Sequence, residues 1–142
     1  MGIRKMIESD IEQVVELINE LSSDLNEDFN VKEEDIFLHY YNMNRYNELY
    51  TNLVFSIDEK ILGFISILFY RSFLHKKGTA LINELIVNRK YRNQKIGKQL
   101  LDYGIKIAKE NEMDEIEVGV MKENNKAIEF YKKKELMKNT YY

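Results

Sequence analysis

The sequence predicts an α/β protein, a single domain over residues 1–142 in which a mixed, mostly antiparallel sheet is flanked by helices. Three observations carry this. Strand-like and helix-like hydrophobic periodicities follow one another in the order β–α–α–β–β–β–α–β–α–β. Consecutive strands in the middle of the chain are joined by short connections, as antiparallel neighbours are, whereas the later strand–helix–strand run requires a parallel pair with a right-handed crossover. The 142 residues contain no proline and no Gly/Ser-rich linker, so nothing marks a domain boundary, and the length is that of one ordinary domain.

The elements follow in order. After a short opening strand, Ile11, Val14, Val15, Ile18 and Leu21 recur at helical spacing and predict a helix over 10–22. Ser9 and Glu12 fit a capping box at its start. A second helix is expected over 32–49, with Ile36, Phe37, Tyr40 and Tyr41 on one face and His39 among them. A lone histidine in such a setting is more often a packed or surface residue than a ligand. Residues 52–57 and 61–70 read as strands joined by a hairpin turn at Asp58-Glu59-Lys60. Beyond the basic connection Leu74-His75-Lys76-Lys77-Gly78, residues 79–87 (TALINELIV) are mostly apolar, as a strand covered on both faces is. Helical spacing resumes with Ile96, Leu100, Leu101, Gly104, Ile107 and Ala108, and Asn111 closes that helix. Ile116, Val118 and Val120 alternate as a strand over 115–121, and 124–134 forms a last helix with Ala127, Ile128 and Tyr131 on one side. Residues 136–142 supply only a short final strand, so that sheet edge is a candidate for completion by a second copy in a homodimer.

Composition narrows the function classes. With 44% hydrophobic and 32% charged residues the chain is an ordinary globular composition. The absence of cysteine excludes a disulfide framework, a thiolate nucleophile, an iron–sulfur site and Cys-based zinc. The two histidines, His39 and His75, have no third ligand at metal-binding spacing, so no metal is expected. The longest apolar run, 61–70, contains Gly63 and Ser66 and falls far short of the ~20 residues of a bilayer span. No apolar signal region follows the N-terminus. A cytoplasmic location without a membrane partner is therefore expected.

Charge is uneven along the chain. Residues 1–60 carry 14 acidic and 5 basic side chains, and residues 61–142 carry 10 acidic and 16 basic. The densest basic patch is Arg89, Lys90, Arg92, Lys95 and Lys98, with no acid between 85 and 101. A helix beginning near Ile96, directly after this loop, presents free N–H groups and about half a positive charge. The combination suits a polyanion such as a pyrophosphate. It is not a P-loop, which needs a Gly-Lys-Ser/Thr ending, nor the three-glycine dinucleotide fingerprint, since only Gly97 stands there. Nucleic acid is not expected as a partner, because the net charge is −3 and Tyr91 is the sole aromatic in the patch.

The run from Val87 to Leu101, VNRKYRNQKIGKQLL, resembles the acetyl-CoA signature of the GNAT superfamily of N-acetyltransferases. That signature is Gln/Arg-x-x-Gly-x-Gly/Ala, with Arg92 in the first place, Gly97 in the last, and Lys95 where the first glycine belongs. Downstream, Asn124, Ala127, Phe130 and Tyr131 are similar to the family's Asn-x-x-Ala-x-x-Phe-Tyr segment. The order of elements also agrees, so the resemblance spans nearly the whole chain. Arg89 and Glu135 depart from it, standing where proline and glycine are common.

The resemblance implies an acetyl-CoA co-substrate lying in an opening between two splayed parallel strands, 79–87 and 115–121. Its pantetheine would pair with the backbone of Leu85, Ile86 and Val87. Its pyrophosphate would sit on the turn containing Arg92, Asn93, Gln94, Lys95, Ile96, Gly97 and Lys98. Asn124 would hydrogen-bond near the pantetheine arm, and Tyr131 would protonate the departing thiolate. The implied activity is acetyl transfer to a primary amine by direct attack in a ternary complex, without a metal. The alternative is a non-catalytic acyl-CoA-binding module of the same fold.

Read without the motif, Tyr131 is a core aromatic on an amphipathic helix. Glu84 interrupts an apolar strand, and burying a lone carboxylate costs several kcal/mol unless it is paired or its pKa rises. It is either a general base for an ammonium nucleophile or a carboxylate facing a solvated cleft or a basic neighbour. The acidic first 60 residues suit a cationic acceptor such as a polyamine, an aminoglycoside or a peptide amine. Tyr40, Tyr41, Tyr46 and Tyr50 are candidates to line its side.

Overall fold

A computed structural model of the chain describes residues 2–25, 30–119, 125–133 and 139–141. Its elements are β1 (Gly2–Lys5), α1 (Ile11–Asp24), α2 (Glu33–Asn44), β2 (Tyr50–Ile57), β3 (Lys60–Tyr70), β4 (Gly78–Val87), α3 (Ile96–Glu110), β5 (Met113–Val118), α4 (Asn125–Lys133) and β6 (Asn139–Tyr141). The six strands form one sheet in chain order, β1-β2-β3-β4-β5-β6. β1 to β4 pair antiparallel, and β5 and β6 each run parallel to the strand before. Each parallel step is bridged by a helix, α3 and then α4. The expected α/β class and element order therefore hold.

Two local expectations change. Ser9 does not cap α1. The Asp10 carboxylate instead accepts the Ile7 N–H at 2.8 Å and the Arg4 guanidinium at 2.7 and 2.9 Å, closing a short 3-10 turn that leads into the helix. Burial on its own would raise the Asp10 pKa, but these bonds reverse the effect and hold it below the usual carboxylate range. The second helix ends at Asn44 rather than at 49. The Asn-rich stretch after it favours turns, and Leu49 is drawn into the sheet, its carbonyl accepting Phe69 N–H at 2.7 Å. The part of the expected fifth strand beyond Val118 includes Val120 and Met121, which lie outside the described residues.

The hairpin at Asp58 and Glu59 forms as expected. Both residues have left-handed φ (48° and 67°), as a two-residue turn matching the strand twist requires. Gln13 of α1 pins it, donating to the Glu59 carbonyl at 3.0 Å and accepting Ile61 N–H at 2.8 Å.

The sheet has a core on each face. Leu53, Phe55, Ile65 and Ile67 pack with Leu100 and Leu101 of α3, while Val54, Phe64 and Ile86 pack with Val14 and Leu17 of α1. Burying side chains such as Leu100 and Leu101 contributes about 1.5–3 kcal/mol each. α3 approaches so closely that a Cβ on Gly104 would lie 2.8 Å from Ile67 Cδ1.

β4 changes face partway along. Ser66 pairs with Glu84 but Ile67 pairs with Ile82, so Asn83 is an extra residue in β4. Before this bulge Ala80 and Ile82 belong to the α3-side core; after it Ile86 belongs to the α1-side core. Glu84, two residues from Ile86, is thereby turned toward α1 and α2.

Candidate active site

Parallel pairing of β4 with β5 ends at Ile82 opposite Val118, and the last contact is a long one, Gly119 N–H to the Ile82 carbonyl at 3.4 Å. β4 continues to Val87, paired there only with β3. The strands part, and a cavity of about 1050 Å³ opens between them. Leu85, Ile86 and Val87 line one side, Ile96, Gly97 and Lys98 of α3 another, and Phe130 and Tyr131 of α4 a third. Asp24, Arg92, Asn93 and Lys95 also lie on the wall. Of the residues expected to meet the cofactor, Gln94 is exposed in the same turn but not on the wall, and Asn124 lies outside the described residues.

The turn before α3 is unusual in backbone. Asn93 (φ 66°) and Lys95 (φ 64°) are both left-handed. Lys95 is the helix N-cap and supplies no side-chain cap. It occupies the place of the signature's first glycine, and a residue with a Cβ costs about 1–2 kcal/mol in that conformation. The uncapped first-turn amides at Ile96, Gly97 and Lys98 lie on the cavity wall. A Cβ on Gly97 would meet Val87 Cγ2 at 3.5 Å and Phe130 Cζ at 4.0 Å, ordinary contacts. The protein's own packing therefore does not demand glycine there; the missing side chain leaves a shallow cradle over the amides, which suits a diphosphate.

Two of the loop cations are engaged with α1. Arg89 lies 3.4 Å from Glu20 and 3.3 Å from Asp24, and its backbone N–H donates to Glu20 at 2.7 Å. Arg92 is 2.9 Å from Asp24 and donates through Nε to the Val87 carbonyl at 3.1 Å. Lys98 bonds Asp102 at 3.1 Å.

A second cavity of about 400 Å³ adjoins the first and shares with it Leu21, Leu25, Leu85, Ile86, Ala127 and Tyr131. Glu84, Asn83 and His39 of α2 are its other polar side chains. Among the described residues no cation lies within 4 Å of the Glu84 carboxylate. Its apolar surroundings raise its pKa above the ordinary range, and His39 opposes this only in part. Glu84 nevertheless keeps open surface on the cavity. Tyr131 stands at the junction, only 6% exposed, its ring edge-to-face with Phe130 at 5.4 Å. Burial pushes its hydroxyl pKa up, so it stays protonated across the physiological range.

Sequence reasoning missed Asp24, Asn83 and His39 as wall residues. The four-residue spacing of Glu20 and Asp24, opposite a basic loop, was the available signal for the first. No sequence signal marks a bulge at Asn83 or the place of His39.

The Acetyltransferase (GNAT) family matches residues 14–135. The chain belongs to that family and is an acetyltransferase of the GNAT fold. A mutant form of a Bacillus halodurans protein is similar in structure, with a TM-score of 0.79 at 25% identity, over 94% of this chain and 90% of that one. Glucosamine-6-phosphate N-acetyltransferase from Arabidopsis thaliana has a TM-score of 0.76 at 21% identity, over 92% and 87%. A predicted acetyltransferase from Clostridium acetobutylicum, solved with acetyl-CoA, has a TM-score of 0.73 at 19% identity, over 92% and 87%. The last two likenesses are of fold. No curated protein sequence matches the chain. Acetyl-CoA is the family's acyl donor. Among the described residues there is no cluster of three metal-ligating side chains and no helix long and apolar enough to cross a membrane.

Proposed function

We propose that the chain is an acetyl-CoA-dependent N-acetyltransferase that passes the acetyl group directly to a primary amine, with both substrates bound at once. The observation that carries this is the meeting of two cavities at Tyr131, one walled by the open strand edge and the α3 N-terminus, the other by Glu84.

Acetyl-CoA, when bound, supplies an acetyl thioester. In this reading the backbone of Leu85, Ile86 and Val87 holds the pantetheine as an added strand, and the amides from Asn93 to Lys98 hold the diphosphate. Glu84, its pKa raised, takes a proton from the acceptor's ammonium and frees the nitrogen lone pair. The C–N bond forms as the C–S bond breaks, and the Tyr131 hydroxyl gives its proton to the leaving sulfur. The second proton lost by nitrogen restores the hydroxyl, and the proton on Glu84 leaves to solvent. A chain without cysteine has no thiol to carry the acyl group in between.

Tyr131→Phe tests the assignment. Thiol release should fall at least a hundredfold, within the usual range for a lost general acid, while acetyl-CoA affinity by calorimetry changes less than threefold. Unchanged turnover would remove the acid role. A non-catalytic acyl-CoA-binding module of the same fold is the second reading, for which Lys95, standing in place of the signature's first glycine, leaves room. Tight acetyl-CoA binding without turnover on any amine would select it.

A further inference from the structure

We infer that the acceptor is a primary monoamine carried on a small apolar body, rather than a polyamine, an aminoglycoside or a lysine-rich peptide. The inference rests on the N-acetyltransferase reading and narrows its substrate. The second cavity, at about 400 Å³, is near the small end of ligand cavities. Ile18, Leu21, Val31, Ile36, Ile82 and Ile86 are among its wall residues. Among the described residues Glu84 is the only acid on that wall.

Four of the acids that made the first 60 residues look suited to a polycation are engaged elsewhere. Asp10 pairs with Arg4 at 2.7 Å. Glu20 and Asp24 hold Arg89 and Arg92 at 2.9–3.4 Å. Glu8 accepts the Tyr41 hydroxyl at 2.9 Å. One ammonium can reach Glu84, beside the Tyr131 junction. Among the described residues, a second cation on the same molecule would meet aliphatic walls or the imidazole of His39 and no further acid, and would lose its hydration at a cost of several kcal/mol. An apolar body, in contrast, gains from every methylene placed against those walls.

The bulge at Asn83 is what makes this arrangement. With strict alternation Glu84 would share the face of Ile82, in the α3-side core. Turned to the other face, it becomes the one acid that the described residues place on the wall of an apolar slot.

The test is thiol release by the full chain at saturating acetyl-CoA. Phenethylamine and hexylamine are compared with spermidine, kanamycin and a lysine-containing peptide. The two monoamines should show kcat/KM at least tenfold higher than the others. Spermidine, kanamycin or the peptide turning over as efficiently as hexylamine would overturn the acceptor assignment and leave N-acetyl transfer standing. Acetyl-CoA binding with no thiol release on any amine would overturn both. In a second arm, Ile36→Glu adds a carboxylate to a partly exposed position on the wall. It should raise kcat/KM for 1,6-diaminohexane relative to hexylamine at least tenfold, and an unchanged ratio would overturn the placement of the acceptor body.

Discussion

Replacing Gly97 by alanine separates what the fold needs from what the ligand needs. The new methyl would sit 3.5 Å from Val87 Cγ2 and 4.0 Å from Phe130 Cζ, so nothing in the protein has to move. Alanine also favours helix over glycine by up to about 1 kcal/mol. Without ligand the variant should therefore be at least as stable as the parent, with a Tm gain of up to about 2–4 °C. For acetyl-CoA the sign reverses. The methyl occupies the cradle above the uncapped amides of the first turn of α3, and one hydrogen bond from such an amide to a charged oxygen is worth about 1.5–3 kcal/mol. Losing it weakens binding by about ten- to a hundredfold. Thermal unfolding of the ligand-free protein and calorimetric titration with acetyl-CoA read the two signs independently. Unchanged affinity would mean that no diphosphate sits on that turn. A lower Tm would mean that the cradle is filled by the protein itself.

Two further outcomes follow from single carboxylates. Glu84→Gln should abolish the rise of kcat with pH on the acid side, a limb that lies above the ordinary carboxylate range because burial raises the Glu84 pKa; a limb left in place would assign the base to another group. The same raised pKa means that stability linked to this group is complete below its unfolded value and is lost as pH rises through the folded one, so at neutral pH the glutamine variant should be no less resistant to urea than the parent. Asp10 has the opposite sign: its folded pKa is depressed, so its contribution is present above the unfolded value and is lost as pH falls through the folded one. Asp10→Asn should cost about 1.5–3 kcal/mol in urea unfolding at neutral pH, toward the lower end because Arg4 is 40% exposed, and the gap should narrow in acid; a constant gap would mean that the loss is packing rather than charge.

Much of the fold was legible because strong periodicity coincides with clear termini. Leu100, Leu101, Gly104 and Ala108 mark the buried stripe of α3, and Asn111 closes it by donating from its side chain to the Ile107 carbonyl at 2.8 Å. The Asp58–Glu59 turn was legible because both residue types tolerate the surface and two apolar strand-like runs flank them. The turn before α3 was legible as a basic loop running directly into a helix. What escaped is decided by contacts between distant segments. Ser9 and Asp10 are equally good local acceptors, and the choice between them is made by Arg4, held in place by β1 pairing with β2. Beyond the end of α2, the Leu49 carbonyl accepts the Phe69 N–H of β3, a contact between distant segments that local periodicity does not register.

The same distinction limits what net charge says about the acceptor. A count of acids along a segment is a sum without direction, whereas binding depends on which carboxylates remain available at a cavity. On α1, Glu20 and Asp24 are one turn apart and meet the two arginines of the loop after β4, so part of the negative charge of the first half and part of the positive charge of the second cancel across a contact inside the molecule. That contact also draws the end of α1 against the turn before α3, and Leu21 and Leu25 become walls common to both cavities. The ion pairs that hold these two acids thus also shape the apolar slot, and among the described residues the one acid on its wall is Glu84, which the β4 bulge turns toward it.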